Sequence, residues 1–237
     1  MTNTTSIKAI LFDKDGTLLD FDASWAGINE ALAQMASDGN PQFTDKLLRI
    51  AGMDPLSKST SAGSLFAAGN SQEIAEAWIS AGAKFDQAQL ASEIDKLCIE
   101  GMRSAVPLPG IPGALHALSK AGFKLGVASS DSEASIHAFL QATGLSGHFE
   151  FIVGYDSGHG PKPEPGMMTG FAAAIDLPVS AIAMIGDNTH DLIMAQAASA
   201  GLKIGVLSGT GTEGDLSPLA DIILESVAGL PDFLDNV

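Results

Sequence analysis

From Val106 onward the chain alternates short apolar runs with stretches of helical periodicity, and this alternation restricts the fold more than any other feature. The runs are Leu125–Ser129, Phe151–Gly154, Ala181–Ile185, Ile204–Leu207 and Ile222–Leu224. Between them lie helical patterns over Ile111–Ala121, Ser132–Thr143, Gly166–Ile175 and Asp191–Ala200. Such an alternation predicts βαβ units, and hence a parallel sheet flanked by helices. A further apolar run near the start, Ile7-Lys8-Ala9-Ile10-Leu11-Phe12, reads as a buried strand and belongs to the same sheet by composition.

The segment between that first strand and Val106 has a different character. Apolar residues recur at helical spacing over Ser24–Ala36 (Trp25, Ile28, Leu32, Met35), Thr44–Ile50, Ser71–Ile79 and Ala88–Met102. Asp54-Pro55 and Gly69-Asn70 break the pattern, and no strand is predicted there. The α/β unit is therefore expected to be discontinuous, with residues 1–19 and 106–237 forming the core and residues 20–105 a helical domain inserted after the first strand.

Composition narrows the function classes. The 237 residues carry a net charge of −16, and nucleic acids and anionic membranes both require basic patches, so neither is expected as a partner. A small anionic substrate remains compatible, because a local cation can reverse the field inside a site. The single cysteine, Cys98, excludes an internal disulfide, fits a reducing compartment and reads as a core thiol. With no basic segment leading into an apolar stretch and no run long enough to span a bilayer, the expected setting is cytoplasmic.

Four polar features follow expected strands, at the carboxyl edge where open α/β sheets bind ligands. After Phe12 comes Asp13-Lys14-Asp15-Gly16-Thr17-Leu18. Continued extended geometry would put Asp13 and Asp15 on one side and Lys14 on the other. Two neighbouring carboxylates repel unless a cation, a proton or a substrate lies between them. Ser129, Ser130 and Asp131 follow the second run, and Gly158-His159-Gly160-Pro161-Lys162-Pro163-Glu164-Pro165 follows the third. Gly186-Asp187-Asn188-Thr189-His190-Asp191 follows the fourth. Each has a bland reading as well: Asp13 as a turn residue, Ser129 as a helix cap, Lys162 as a solvated loop lysine, Asp187 and Asp191 as cap and dipole partners. Their common placement on one sheet edge is harder to attribute to chance.

In this order and on these element types, the Asp-x-Asp-Gly-Thr-Leu strand end, the strand-end Ser, the proline-flanked Lys and the Gly-Asp-x-x-x-Asp segment resemble the haloacid dehalogenase superfamily. The resemblance covers the whole chain and is nearest to the phosphoglycolate phosphatase and β-phosphoglucomutase branch, with Lys162-Pro163-Glu164-Pro165 and Gly186–Asp191 on the phosphatase side. Lys14 between the aspartates and Gly158-His159-Gly160-Pro161 are departures. The implied fold is α/β, a Rossmann-like, doubly wound parallel sheet with an inserted all-helical cap domain.

The implied chemistry is Mg2+-dependent hydrolysis of a small phosphomonoester, phosphoglycolate-like, through an aspartyl-phosphate. Asp13 would be the nucleophile and Asp15 the acid and base. Asp13, Asp187 and the main-chain carbonyl of Asp15 would hold Mg2+, with Asp191 outside the ion orienting waters or Lys162. Ser129 and Lys162 would hold the phosphoryl oxygens, joined by backbone N–H groups around Gly16 and Ser130. The expected partner is a small phosphorylated metabolite, and the chain itself a monomer or small homo-oligomer. A phosphomutase shares every motif. Net phosphate release separates phosphatase from mutase, and a binding protein, the non-enzymatic alternative, would bind a phosphate analogue without turning over any phosphoester. In the cap, the polar stretch 54–70 is the segment expected to reach the site, Arg49 and Lys58 are the basic candidates for a second anionic group, and Trp25 and Trp78 are expected in the cap core. His159 and His190 lie in site loops without a required role, and Gly209-Thr210-Gly211-Thr212 reads as a flexible turn.

Overall fold

The computed structural model of the chain describes residues 7–235. Six strands form one sheet: β1 (Ala9–Phe12), β2 (Lys124–Ala128), β3 (Phe151–Val153), β4 (Ile182–Gly186), β5 (Leu202–Val206) and β6 (Ile222–Leu224). Between β1 and β2 run α1 (Phe21–Ala36), α2 (Pro41–Ala51), α3 (Leu65–Ala68), α4 (Ser71–Ala81), α5 (Gln87–Met102) and α6 (Ile111–Lys120). The remaining connections carry α7 (Glu133–Ala142), α8 (Gly166–Ala174), α9 (Thr189–Ala198) and α10 (Glu213–Leu216), and α11 (Leu230–Asp235) follows β6.

The strand order is β3-β2-β1-β4-β5-β6, and every pairing is parallel. All four residues of β1 are fully buried, which is why its sequence shows no polar alternation. Ile10 and Phe12 enter one apolar core with Ile111, Leu115, Ile136 and Phe139 of α6 and α7. Ala9 and Leu11 enter the other with Met167, Phe171, Met194 and Ala195 of α8 and α9. The sheet is thus covered on both faces, as the sequence pattern requires.

The chain leaves β1 for β2 and β3 on one side, then returns to β4, β5 and β6 on the other. This reversal opens a crevice at the carboxyl edge beside β1, where sheets of this topology hold ligands. Phe12 lies opposite both Val127 and Ile185, so Asp13, Ser129 and Asp187 emerge within about one residue of the same level.

Helices α1 to α5 pack mainly on each other, α4 on α5 and α1 on both α2 and α5. Trp78 is buried at their centre and donates its indole N–H to the Leu47 carbonyl at 3.0 Å. Helix α5 also lies against α7, which ties the helical block to the sheet layer. Expected and observed boundaries differ by a few residues, because caps rather than apolar periodicity set helix starts. Asp20 accepts from Ala23 N–H and starts α1 at Phe21, and Asn40 accepts from Phe43 N–H ahead of Pro41. The stretch 54–70 contains the short helix α3, capped by Ser64. Its first part folds around Asp54, whose Oδ1 accepts from the N–H groups of Leu56 and Ser57. Four helical residues are too few to display a period.

Candidate active site

The chain turns sharply after Asp13. Asp13 N–H still donates to the Ile185 carbonyl at 2.8 Å, continuing the sheet by one residue. The Lys14 carbonyl then accepts from Leu18 and Leu19 N–H, and Gly16 adopts φ +76°. A Cβ at Gly16 would lie 2.6 Å from Gly209 Cα and 2.7 Å from the Asp187 carboxylate, so both the turn and the packing require glycine there. Because the backbone bends, Lys14 does not simply point away from the aspartates as an extended segment would place it. Its ammonium is fully buried, 3.1 Å from Asp15 and 2.6 Å from Asp131. Burial disfavours the Lys14 charge, but Asp131 and then Asp15 outweigh it and hold the lysine protonated.

Asp15 accepts hydrogen bonds on both oxygens. Trp25 Nε1–H donates to Oδ1 at 2.5 Å, and the Ser129 hydroxyl donates to Oδ2 at 3.2 Å. Burial pushes the Asp15 carboxyl up to about 6, with Lys14 opposing and Asp131 and Asp13 adding. That midpoint suits a group that must give and regain a proton near neutral pH. Trp25 is therefore not only a residue of the helical core: it reaches from α1 to the carboxylate and stacks 5.0 Å from Lys14 Nζ. Its helical spacing disguised that role.

Asp13 lies in a second cluster. Lys162 is buried and bridges Asp13 Oδ1 and Asp191 Oδ1, each at 2.6 Å. It is no solvated loop lysine. Burial opposes its charge, yet the two carboxylates outweigh burial and raise its proton affinity. Asp13, Asp187 and Asp191 each offer one carboxylate oxygen within 4.8 Å of the others. Burial raises all three, with Lys162 opposing at Asp13 and Asp191, while Asp13 and Asp191 push Asp187 further upward. Asp191 Oδ2 also accepts from Asn188 N–H at 3.1 Å, closing the cap of α9.

Asp187 is held by a segment that read as a plain turn. Thr210 N–H donates to its Oδ2 at 2.8 Å, Ser208 hydroxyl donates to the Gly16 carbonyl, and a Cβ at Gly209 would run into the Asp187 carboxylate. Residues 208–210 thus pin the turn after β1 to the loop after β4. Paired Gly-Thr steps were the available signal. Ser130 lies 3.4 Å from His190 Nε2. Burial and Lys162 push His190 down to about 3, so the ring stays neutral.

Two cavities meet these clusters. One, of about 50 Å³, is lined by Asp15, Ser130 and Asp131 and by Trp25, Asn29, Phe66, Gly69 and Cys98 from the helical block. The other is an open cleft between residues 63–80 and Lys162, Pro163 and His190. The end of the 54–70 stretch does reach the site, through Phe66, Ala67, Gly69 and Asn70. Arg49 and Lys58 do not line either cavity: they are exposed and pair with Asp54 and Glu30.

Comparison with known proteins agrees with this geometry. The family model for haloacid dehalogenase-like hydrolases matches residues 7–199. The chain belongs to that family. It is 30% identical over 208 residues to "Probable phosphatase IndB" of Dickeya dadantii, covering 87% of this chain and 84% of that one. It is 31% identical over 229 residues to the phosphoglycolate phosphatase of Caulobacter vibrioides, covering 94% and 88%. In fold it resembles CbbY from Rhodobacter sphaeroides in complex with phosphate, with a TM-score of 0.70 at 20% identity, covering 94% and 96%. The chain is thus a hydrolase of the haloacid dehalogenase-like family. Among the described residues no helix is long and apolar enough to cross a membrane.

Proposed function

We propose that the chain hydrolyses a small cytoplasmic phosphomonoester through an aspartyl-phosphate on Asp13, with Mg2+ as cofactor. One observation carries this reading. The buried Asp13 carboxylate, a buried lysine and two further carboxylates converge on the sheet edge, beside the separately held Asp15 carboxyl that burial pushes up to about 6.

The donor set fits a divalent cation. Three buried carboxylates lie together while one lysine pairs with only two of them, which leaves negative charge for a cation to offset. Hard cations prefer such oxygen ligands. Asp191 has both oxygens engaged by Lys162 and Asn188, so Asp13, Asp187 and the Asp15 carbonyl are the expected ligands, and Asp191 holds Lys162 in place. Bound there, Mg2+ would offset the repulsion between Asp13 and a phosphate dianion.

The residues divide the work. Lys162 and Ser129 orient the phosphoryl oxygens in line with Asp13. Asp13 forms the new P–O bond as the ester P–O bond breaks, and Asp15 gives its proton to the departing alkoxide. A water then attacks phosphorus, Asp15 takes its proton, and the Asp13–phosphate bond breaks to release inorganic phosphate. Helices α1 to α5, residues 20–105, act as the cap that closes over the site.

The test is release of inorganic phosphate from a panel of small phosphoesters, phosphoglycolate and hexose phosphates included, with and without Mg2+. Metal-dependent release supports the proposal. Isomerised sugar phosphate without net release would make the chain a mutase, and no conversion by folded, metal-loaded protein would leave a binding protein.

A further inference from the structure

The cavity beside Asp15 carries a chemical signature of its own. Asn29 sits one helical turn after Trp25 on α1, is 1% exposed and lines this cavity. Its Nδ2 is buried with no hydrogen-bond partner among the described residues. A buried donor left unpaired is costly, and a ligand acceptor removes that cost. The cavity also has an apolar lining, from Leu32, Phe66, Ile74 and Ile94. At about 50 Å³ the space admits only a compact group a few heavy atoms in size.

We infer that this cavity receives the leaving alcohol of the phosphate ester, and that this alcohol is compact, uncharged and bears an oxygen acceptor that meets Asn29. The inference rests on the phosphatase reading above, which places the departing oxygen at Asp15.

A carboxylate on the alcohol would find no cation. No lysine, arginine or histidine lines the cavity. Lys14 is fully buried and committed to Asp15 and Asp131, and Lys162 to Asp13 and Asp191. The N-terminus of α4 offers little more. The N–H groups of Gln72 and Glu73 are taken by the Asn70 side chain, and the Glu73 carboxylate folds back onto Asn70 N–H. A carboxylate would therefore be buried near two other carboxylates with one neutral donor, which is strongly disfavoured.

An ammonium group fares no better. Asp15 accepts from Trp25, Lys14 and Ser129. Asp131 accepts from Ser132 N–H on Oδ1, and from Lys14 and Ser135 on Oδ2. Each acidic oxygen that borders the cavity already accepts at least one hydrogen bond, and the buried Asn29 Nδ2, a donor, has no partner among the described residues. A carbonyl, ether or hydroxyl oxygen satisfies it.

The test compares kcat/KM for four phosphate monoesters of similar size, those of 2-hydroxyacetamide, glycolate, ethanolamine and n-propanol, with Mg2+ present. The hydroxyacetamide ester, isosteric with the glycolate ester but uncharged, is expected to lead the glycolate and ethanolamine esters by about tenfold or more. Equal or faster turnover of either charged ester overturns the inference. Asn29→Leu keeps the volume and removes the donor. It should shrink the advantage of the hydroxyacetamide ester over the propyl ester by about tenfold. An unchanged ratio removes Asn29 from recognition and overturns that part. If folded, metal-loaded protein releases phosphate from none of the four and from no member of the broader panel, the phosphatase reading itself fails and takes this inference with it.

Discussion

Trp25→Phe separates the proton affinity of Asp15 from the rest of the site. The substitution keeps an aromatic ring against Lys14 and removes the Nε1–H that donates to Asp15 Oδ1. That bond favours the ionised carboxylate, so its loss moves the Asp15 midpoint upward from about 6. A hydrogen bond to a charged group contributes about 1.5–3 kcal/mol. At about 1.4 kcal/mol per pH unit, the midpoint should rise by roughly one to two pH units. Asp15 must be protonated to release the alkoxide, so kcat/KM falls as pH rises through its midpoint. The measurement is kcat/KM from acid to alkaline pH at saturating Mg2+ for both proteins. Comparing midpoints rather than heights removes any loss due to packing, and the metal is common to both. An alkaline limb that stays in place would refute Trp25 as a tuner of Asp15, or Asp15 as the acid.

Asp13→Asn should reduce turnover by more than about 10⁴-fold, with an unchanged circular dichroism spectrum, since it removes the proposed nucleophile and keeps the shape. Lys162→Met strands two buried carboxylates, and breaking such a pair costs about 3–5 kcal/mol. A fall in both thermal stability and rate is expected, with Mg2+ recovering part of the stability. Metal-free protein should lose stability as pH rises. Burial raises the carboxyls of Asp13, Asp187 and Asp191, so above the ordinary aspartate value of 3.8 the folded state holds more protons than the unfolded chain, and stability declines through that window. Thermal melts between about pH 5 and pH 7.5 should show a falling Tm, and Mg2+ should raise Tm more at the upper pH. A Tm that climbs with pH in the metal-free protein would contradict this.

The sheet was legible because β1, β2 and β4 are short, apolar and punctuated, and the residues after them share one edge of a parallel sheet. The inserted helices were legible from their periodicity. What the sequence concealed was reach. Trp25 and Asn29 occupy the same spacing as residues of the helical core, so nothing local marks them as facing Asp15. Residues 209–212 read as a turn because Thr210, and Ser208 just before it, bond to Asp187 and Gly16, distant in sequence. Lys14 read as a side chain turned from the site because the bend after Asp13 has no strong local signal beyond Gly16. In each case the missing information is a long-range contact, which periodicity and turn chemistry do not encode.

Charge decides how such an acidic site can bind an anion. Five carboxylates, Asp13, Asp15, Asp131, Asp187 and Asp191, face two lysines, Lys14 and Lys162, within a chain of net charge −16. Lys14 serves Asp15 and Asp131, so Lys162 alone is placed among the carboxylates that would receive a phosphate. Asp187 has no lysine partner, only Thr17 hydroxyl and Thr210, and its carboxyl is pushed well above the ordinary value. A phosphate dianion approaching this cluster meets net repulsion. At about 4 Å and an effective dielectric near 20, each unit pair contributes roughly 4 kcal/mol, and Asp13, Asp187 and Asp191 against Lys162 leave a net charge that two added positive charges cancel. Inorganic phosphate should therefore bind measurably by calorimetry only when Mg2+ is present, and Asp187→Asn should weaken metal and phosphate binding together. Equal phosphate affinity with and without Mg2+ would show that Lys162 suffices and that the carboxylate cluster serves another purpose.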